Sequence, residues 1–189
     1  MTTDASTPDA STPDAWTIAP VPVDHPEAIG LLHRYLDELI SRYYGRPAEW
    51  SEVLAETADN TDLLDPRGVF LVARSGGEAV ACAGVRWLSA DTGELTRVFV
   101  GAEHRRGGAG ARIVGAAERT ARARGVRRML LNTRKDLVEA IALYTRLGYR
   151  PTEPYGDDPY AEVWLEKSLV RTPMAPAVPR DVTRPGTAR

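Results

Sequence analysis

The stretch EHRRGGAGARIV, residues 103–114, sets Arg105, Arg106, Gly107, Gly108, Ala109, Gly110 and Ala111 just before an apolar helical pattern. Glycine costs a helix roughly 1 kcal/mol relative to alanine, so three of them at a helix start call for a reason. A glycine turn at this place leaves the first amides of the helix without partners, and the missing Cβ atoms let phosphate oxygens reach the backbone. That chemistry is anion binding, although the same residues also suit a flexible loop, because a lone G-x-G is a weak signal. Two commoner nucleotide motifs are excluded. A P-loop needs Lys and then Ser or Thr after its last glycine, where this chain has Ala111 and Arg112; a dinucleotide fingerprint needs a third glycine where Ile113 stands. No metal site is expected: His25, His33 and His104 lack ligand spacing, and Asp59, Asp62 and Asp65 lack the glycine and closing Glu of a calcium loop.

The elements that must position this turn alternate between strand and helix signals. Residues 16–21 (WTIAPV) read as a short strand, and Asp24 with Glu27 three positions on forms a capping-box pattern. In the helix that follows, Ala28, Leu31, Leu32, Tyr35, Leu36, Leu39, Ile40 and Tyr43 recur at three- and four-residue spacing and predict one buried face, ended by Gly45. A second short helix over 47–57 is expected to face inward with Trp50, Val53 and Leu54. The runs 68–74 and 79–88 flank a Gly-Gly turn and predict a hairpin. Strand 94–100 leads into the glycine turn and a helix to about Arg124; strand 126–132, a helix over 136–147 and two last strands near Tyr149 and over 161–169 complete the order. By spacing alone, Tyr144 reads as core with Ile141 and Leu147, and Glu94 as a solvated strand start.

A chain of 189 residues with 43% hydrophobic and 26% charged side chains can bury the core of one ordinary domain. The net charge of -2 argues against a nucleic-acid partner. Absence of a long apolar run or a basic, apolar leader predicts no membrane span and no signal peptide. With Cys82 as the one cysteine, no intrachain disulfide can form, and a reducing, cytoplasmic setting is expected. Residues 1–15, with a DASTP repeat, and 171–189, with four prolines, are expected to be disordered tails around a folded body at 16–170.

The segment ELTRVFVGAEHRRGGAGARIVGAAE resembles the acetyl-CoA-binding motif of the GNAT superfamily of N-acetyltransferases, in which [Q/R]-x-x-G-x-[G/A] follows an apolar strand. Downstream, VEAIALYTRLGY, residues 138–149, is similar to the next helix of that family, with A-I-x-L-Y followed by L-G-[F/Y]. The resemblance spans about residues 16–169. It implies an α/β (α+β) fold with a mixed, mostly antiparallel central sheet of six to seven strands and about four flanking helices. It also implies acetyl-CoA as co-substrate, with no metal. Val98, Phe99 and Val100 match the strand whose backbone pairs with the pantetheine arm, and Arg105 to Ala111 match the pyrophosphate turn. Tyr144 matches the tyrosine that gives a proton to the leaving thiolate. Glu94, eleven positions before Arg105, falls where the histone-acetylating branch has its general base. The family usually opens its cofactor strand with a bulge.

One departure stands out: many members carry an asparagine seven positions before the tyrosine, and here that residue is Leu137. The acceptor in this family is held by the first two helices and by the segment before the last strand. Here those carry Tyr43, Tyr44, Trp50, Tyr155 and Tyr160 with Glu49, Glu52, Glu153, Asp157 and Asp158, a lining that suits a small cationic amine, though ordinary loop solvation explains the acids equally well. The expected reaction is direct acetyl transfer to a primary amine in a ternary complex. Open alternatives are an aminoglycoside-type antibiotic acetyltransferase, a protein or peptide N-acetyltransferase, and a non-catalytic acetyl-CoA-binding module. A homodimer is compatible with the same reading.

Overall fold

The computed structural model describes residues 16–57 and 60–170, so the expected tails at 1–15 and 171–189 lie outside the described residues. The elements run β1 (Thr17–Pro20), α1 (Pro26–Tyr44), α2 (Trp50–Thr57), a 3-10 turn (Thr61–Leu63), β2 (Gly68–Ser75), β3 (Glu78–Trp87) and β4 (Thr92–Val100). After a second 3-10 turn (Ala102–His104) come α3 (Ala109–Ala123), β5 (Arg128–Thr133), α4 (Val138–Arg146), β6 (Arg150–Pro151) and β7 (Val163–Ser168). One sheet of seven strands forms in the order β1-β2-β3-β4-β5-β7-β6. Every neighbouring pair is antiparallel except β4 with β5. The mixed, mostly antiparallel sheet and four helices expected from the sequence are therefore present.

The β2–β3 hairpin turns on Gly76 and Gly77, both at positive φ (57° and 87°), the backbone that a two-residue hairpin needs and that glycine adopts without strain. Side chains of β2 alternate between two cores, as strand geometry requires. Phe70 and Val72 meet Ala28, Leu31 and Leu32 of α1, while Leu71 and Ala73 meet the face of α3 that carries Ile113, Val114 and Ala117. Cys82 is buried on the α1 side as a small apolar filler, its thiol pushed up to about 12 by burial.

Two local expectations are corrected. The N-cap of α1 is His25, not Asp24: Pro26 occupies the first turn, where its missing N–H costs nothing, and His25 Nδ1 accepts the Glu27 amide at 3.3 Å. Among the apolar residues of α2 only Val53 is buried, while Trp50 is 59% and Leu54 45% exposed. This eight-residue helix rests chiefly on α1, so one stripe suffices to bury it. Likewise the buried face of α1 stops short of its end: Ala28, Leu31, Leu32 and Leu36 are buried, but Tyr43 is 51% exposed.

The α3 layer holds a buried charge. Glu118 is almost wholly enclosed, and both its oxygens accept from Lys167 Nζ of β7, at 2.6 and 2.8 Å, with Arg122 at 3.3 Å. Removing one partner of such a pair strands the other without a counter-charge. Lys167→Met is expected to lower the unfolding free energy by about 3 kcal/mol. Urea denaturation of the variant checks this, and a loss below about 1 kcal/mol would show that the pair is hydrated and weak.

Candidate active site

The site begins where the sheet comes apart. β4 pairs with β5 only from Thr92 to Glu94, opposite Arg128 to Leu130. On its other side, Cys82 of β3 lies opposite Phe99 while Gly84 lies opposite Thr96, so β4 carries one extra residue in this interval. Arg97 within that interval has φ 51°, a left-handed conformation seldom adopted by a residue with a Cβ. This is a β-bulge, and it bends β4 away from β5. Val98, Phe99 and Val100 thus form a stretch with no strand partner on the β5 side. Phe99 anchors it by packing against Tyr35, with ring centroids 6.3 Å apart.

The chain then turns into α3. Arg106 and Gly108 both have positive φ (70° and 79°), and Gly108 is the N-cap of α3 with no side-chain cap. The three glycines have different roles. A Cβ at Gly107 or Gly108 would meet nothing within 4 Å, so both border open space beside the uncapped first turn of α3. A Cβ at Gly110 would lie 2.9 Å from Leu143 Cδ2, so that glycine admits α4. Ala109 is buried and Ala111 half-buried. Arg105 does not point free: its Nε donates to the Val100 carbonyl at 2.9 Å, and its Nη2 pairs with Glu38 of α1. Arg106 is exposed and makes no hydrogen bond or ion pair among the described residues. Unpaired amides at a helix N-terminus with open space before them favour an anion.

Beside the bulge of β4 a cavity of about 550 Å³ lies between α1, α2, β4, β5 and α4, and both Glu94 and Tyr144 line it. Glu94 is 1% exposed, contrary to a solvated strand start. Three donors converge on it: Arg86 Nε on Oε2, Tyr155 Oη on Oε1 at 2.8 Å and Asn132 Nδ2 on Oε1 at 3.2 Å. Arg86 faces Glu94 directly across the β3–β4 ladder. The pairing of these opposite charges was available to hairpin arithmetic; nothing local to Tyr155 or Asn132 signalled theirs. Burial, and next the charge of Glu94, push the Tyr155 hydroxyl above its ordinary range, so it remains a donor. Tyr144 is buried against Tyr149, with centroids 5.7 Å apart, and burial pushes its hydroxyl up as well. Tyr144 is thus both a core residue and a cavity wall.

Of the residues expected to hold an acceptor, Tyr43, Tyr44, Tyr160, Glu52 and Asp158 line the cavity, joined by Glu56; Tyr155 reaches it only through Glu94. Glu49, Trp50, Glu153 and Asp157 are not in its wall. Glu52 is committed to Arg46 and to the Glu49 amide, which hold its carboxyl down at about 2. Leu137 lines the cavity at the N-cap of α4 and caps nothing. Among the described residues no group of three or more His, Cys, Asp or Glu could hold a metal, and no helix is long and apolar enough to cross a membrane.

The sequence profile of the acetyltransferase (GNAT) family matches residues 32–149. The chain belongs to the GNAT acetyltransferase family. It is 37% identical over 143 residues to an IAA acetyltransferase of Azospirillum brasilense, across 71% of this chain and 88% of that one. Among solved structures it is similar to a Klebsiella pneumoniae protein assigned as an acyl-CoA N-acyltransferase, at 30% identity and TM-score 0.64, over 82% of this chain and 98% of that one. An aminoglycoside 6'-N-acetyltransferase solved with coenzyme A shares the fold at 18% identity and TM-score 0.62, over 84% and 99% of the two chains. So does the PaiA N-acetyltransferase of Thermoplasma acidophilum, also solved with coenzyme A, at 14% identity and TM-score 0.65, over 82% and 99%. In this GNAT chain the open turn at Gly107 and Gly108 fits the polyphosphate of such a ligand, because no side chain fills the space before the α3 amides.

That fit carries an expected outcome. Gly107 has ordinary φ and open space around it, so Gly107→Val is expected to leave the melting temperature within about 2 °C. The branched side chain would stand where an anion approaches, and calorimetric titration should find coenzyme A bound at least about tenfold more weakly. Unchanged affinity would rule out the turn as the anion site.

Proposed function

We propose that this GNAT protein transfers the acetyl group of acetyl-CoA to the primary amine of a small-molecule acceptor. The observation that carries the reading is that Glu94 and Tyr144, from two different layers, line one cavity beside the unpaired stretch of β4. Its volume of about 550 Å³ falls within the range of small-molecule sites. Acetyl-CoA supplies an acetyl thioester whose C–S bond is exchanged for a C–N bond to the acceptor, with release of the thiol. The backbone of Val98, Phe99 and Val100 would hold its arm as an added strand, and the amides from Arg106 to Ala111 its phosphates. Arg105 would keep that turn on β4 through Val100 and on α1 through Glu38.

An amine enters as an ammonium and must lose a proton before it can attack. Glu56 and Asp158 at the cavity wall, beside Tyr43, Tyr44 and Tyr160, favour a cation there. Glu94 is the general base of the reading. Tyr155 and Asn132 hold Oε1 and Arg86 holds Oε2, which fixes the carboxylate without filling every lone pair. Tyr144 is the general acid, its hydroxyl kept protonated by burial, and returns a proton on the cofactor side.

Incubation of the purified protein with acetyl-CoA and a panel of amines, peptides and antibiotics, followed by thiol release, tests the reading. Turnover on small amines is expected; tight coenzyme A binding with no release on any acceptor would instead assign a binding module. On the best acceptor, Tyr144→Phe is expected to lower kcat by about 100-fold with KM little changed. Glu94→Gln is expected to lower kcat/KM at neutral pH by a similar factor, and a rate equal to the parent would remove Glu94 from the mechanism.

A further inference from the structure

Three arginines line the cavity: Arg86, Arg97 and Arg134. Two are committed. Arg86 donates to Glu94, and Arg134 to both oxygens of Asp136 at 2.8 Å and to the Leu39 carbonyl at 3.1 Å, with its guanidinium over Tyr43. Arg97 is different. It sits on the β4 bulge with its side chain only 21% exposed, and donates no hydrogen bond among the described residues. Its nearest carboxylate oxygen, Asp62 Oδ2, is 3.8 Å away, and the same oxygen lies 3.6 Å from Arg86 Nη1. Both distances exceed hydrogen-bond reach. The other oxygen, Asp62 Oδ1, is buried with no donor.

Among the described residues the cavity thus holds a guanidinium that donates no hydrogen bond and has only a long ion contact with Asp62. Beside it lies a buried carboxylate oxygen that accepts nothing, and one ion contact further on lies Glu94. Unused donors next to unused acceptors are complementary to a ligand that carries an anionic and an ammonium group on neighbouring atoms. The wall from Leu36, Leu39 and Ile40 is apolar. We propose that the acceptor is an α-amino acid with an apolar side chain, its carboxylate taken by the Arg97 fork and its amino group directed to Asp62 and Glu94. This deepens the acetyl-transfer reading and rests on the cavity being the acceptor site. It also gives the bulge a second use: the conformation that parts β4 from β5 is the one that holds Arg97 in the cavity wall.

The test uses matched ligands: L-phenylalanine with L-phenylalaninamide and phenethylamine, and L-leucine with 3-methylbutylamine. Each is measured by thiol release with acetyl-CoA and, independently of turnover, by calorimetric binding. The variant is Arg97→Asn, because asparagine tolerates positive φ better than other residues with a Cβ; Arg97→Lys retains the charge without the fork. The parent is expected to favour the carboxylate member of each set by about 10- to 100-fold. That ratio should collapse towards one in Arg97→Asn and be intermediate in Arg97→Lys. Comparing ratios between proteins cancels differences in amine basicity. If amines and amides bind and react as well as the amino acids, the inference is overturned while acetyl transfer stands. Carboxylate-selective binding that depends on Arg97 but yields no thiol upholds the amino-acid site at Arg97 and overturns both the acceptor role of its ligand and the enzymatic reading. Equal ratios in parent and Arg97→Asn, or no binding of any member, overturn the inference.

Discussion

Everything at this site follows from the loss of pairing between β4 and β5 after Glu94. Two parallel strands that stayed paired would close the sheet and satisfy their own backbone. Instead, one extra residue at Arg97 turns β4 aside, leaving Val98 to Val100 without a partner on that flank and opening a cavity between the strands. The bulge persists because both ends of β4 are held. Its start is paired on both sides, and its end is held by Phe99 in the α1 core and by Arg105 clasping the Val100 carbonyl.

Charge inside this opening is organised by donors from distant parts of the chain. Glu94 would be costly at 1% exposure without partners. Arg86 comes to it through strand register, Asn132 from the neighbouring parallel strand and Tyr155 from the segment before β7. The outer turn at Gly107 and Gly108 has the opposite electrostatic character, with unpaired amides facing outward. A buried carboxylate in the cavity and an uncapped helix start at the glycine turn thus give two parts of the chain opposite electrostatic preferences.

Much of this was legible in the chain. The element order was, because caps, Gly stops and apolar periods act through neighbours a few residues apart. Gly76 and Gly77 marked their hairpin for the same reason. The two family motifs pointed to the turn before α3 and to Tyr144 on α4. For α2 a non-local contact had prevailed: it buries only Val53, because a short helix resting on α1 needs a single stripe. Pro26 moved the cap of α1 to His25, a local effect that the capping-box spacing concealed.

By itself the sequence determined the strand and helix order, the glycine turn and the residue types at the positions that matter, since these depend on backbone sterics and periodicity. Only the tertiary structure decided that Glu94 is buried with three donors, that Tyr155 belongs to it, that the bulge falls at Arg97, and that Arg105 braces the turn. Each of those outcomes depends on register or on segments tens of residues apart, and no pattern within one segment encodes where a distant donor will come to rest.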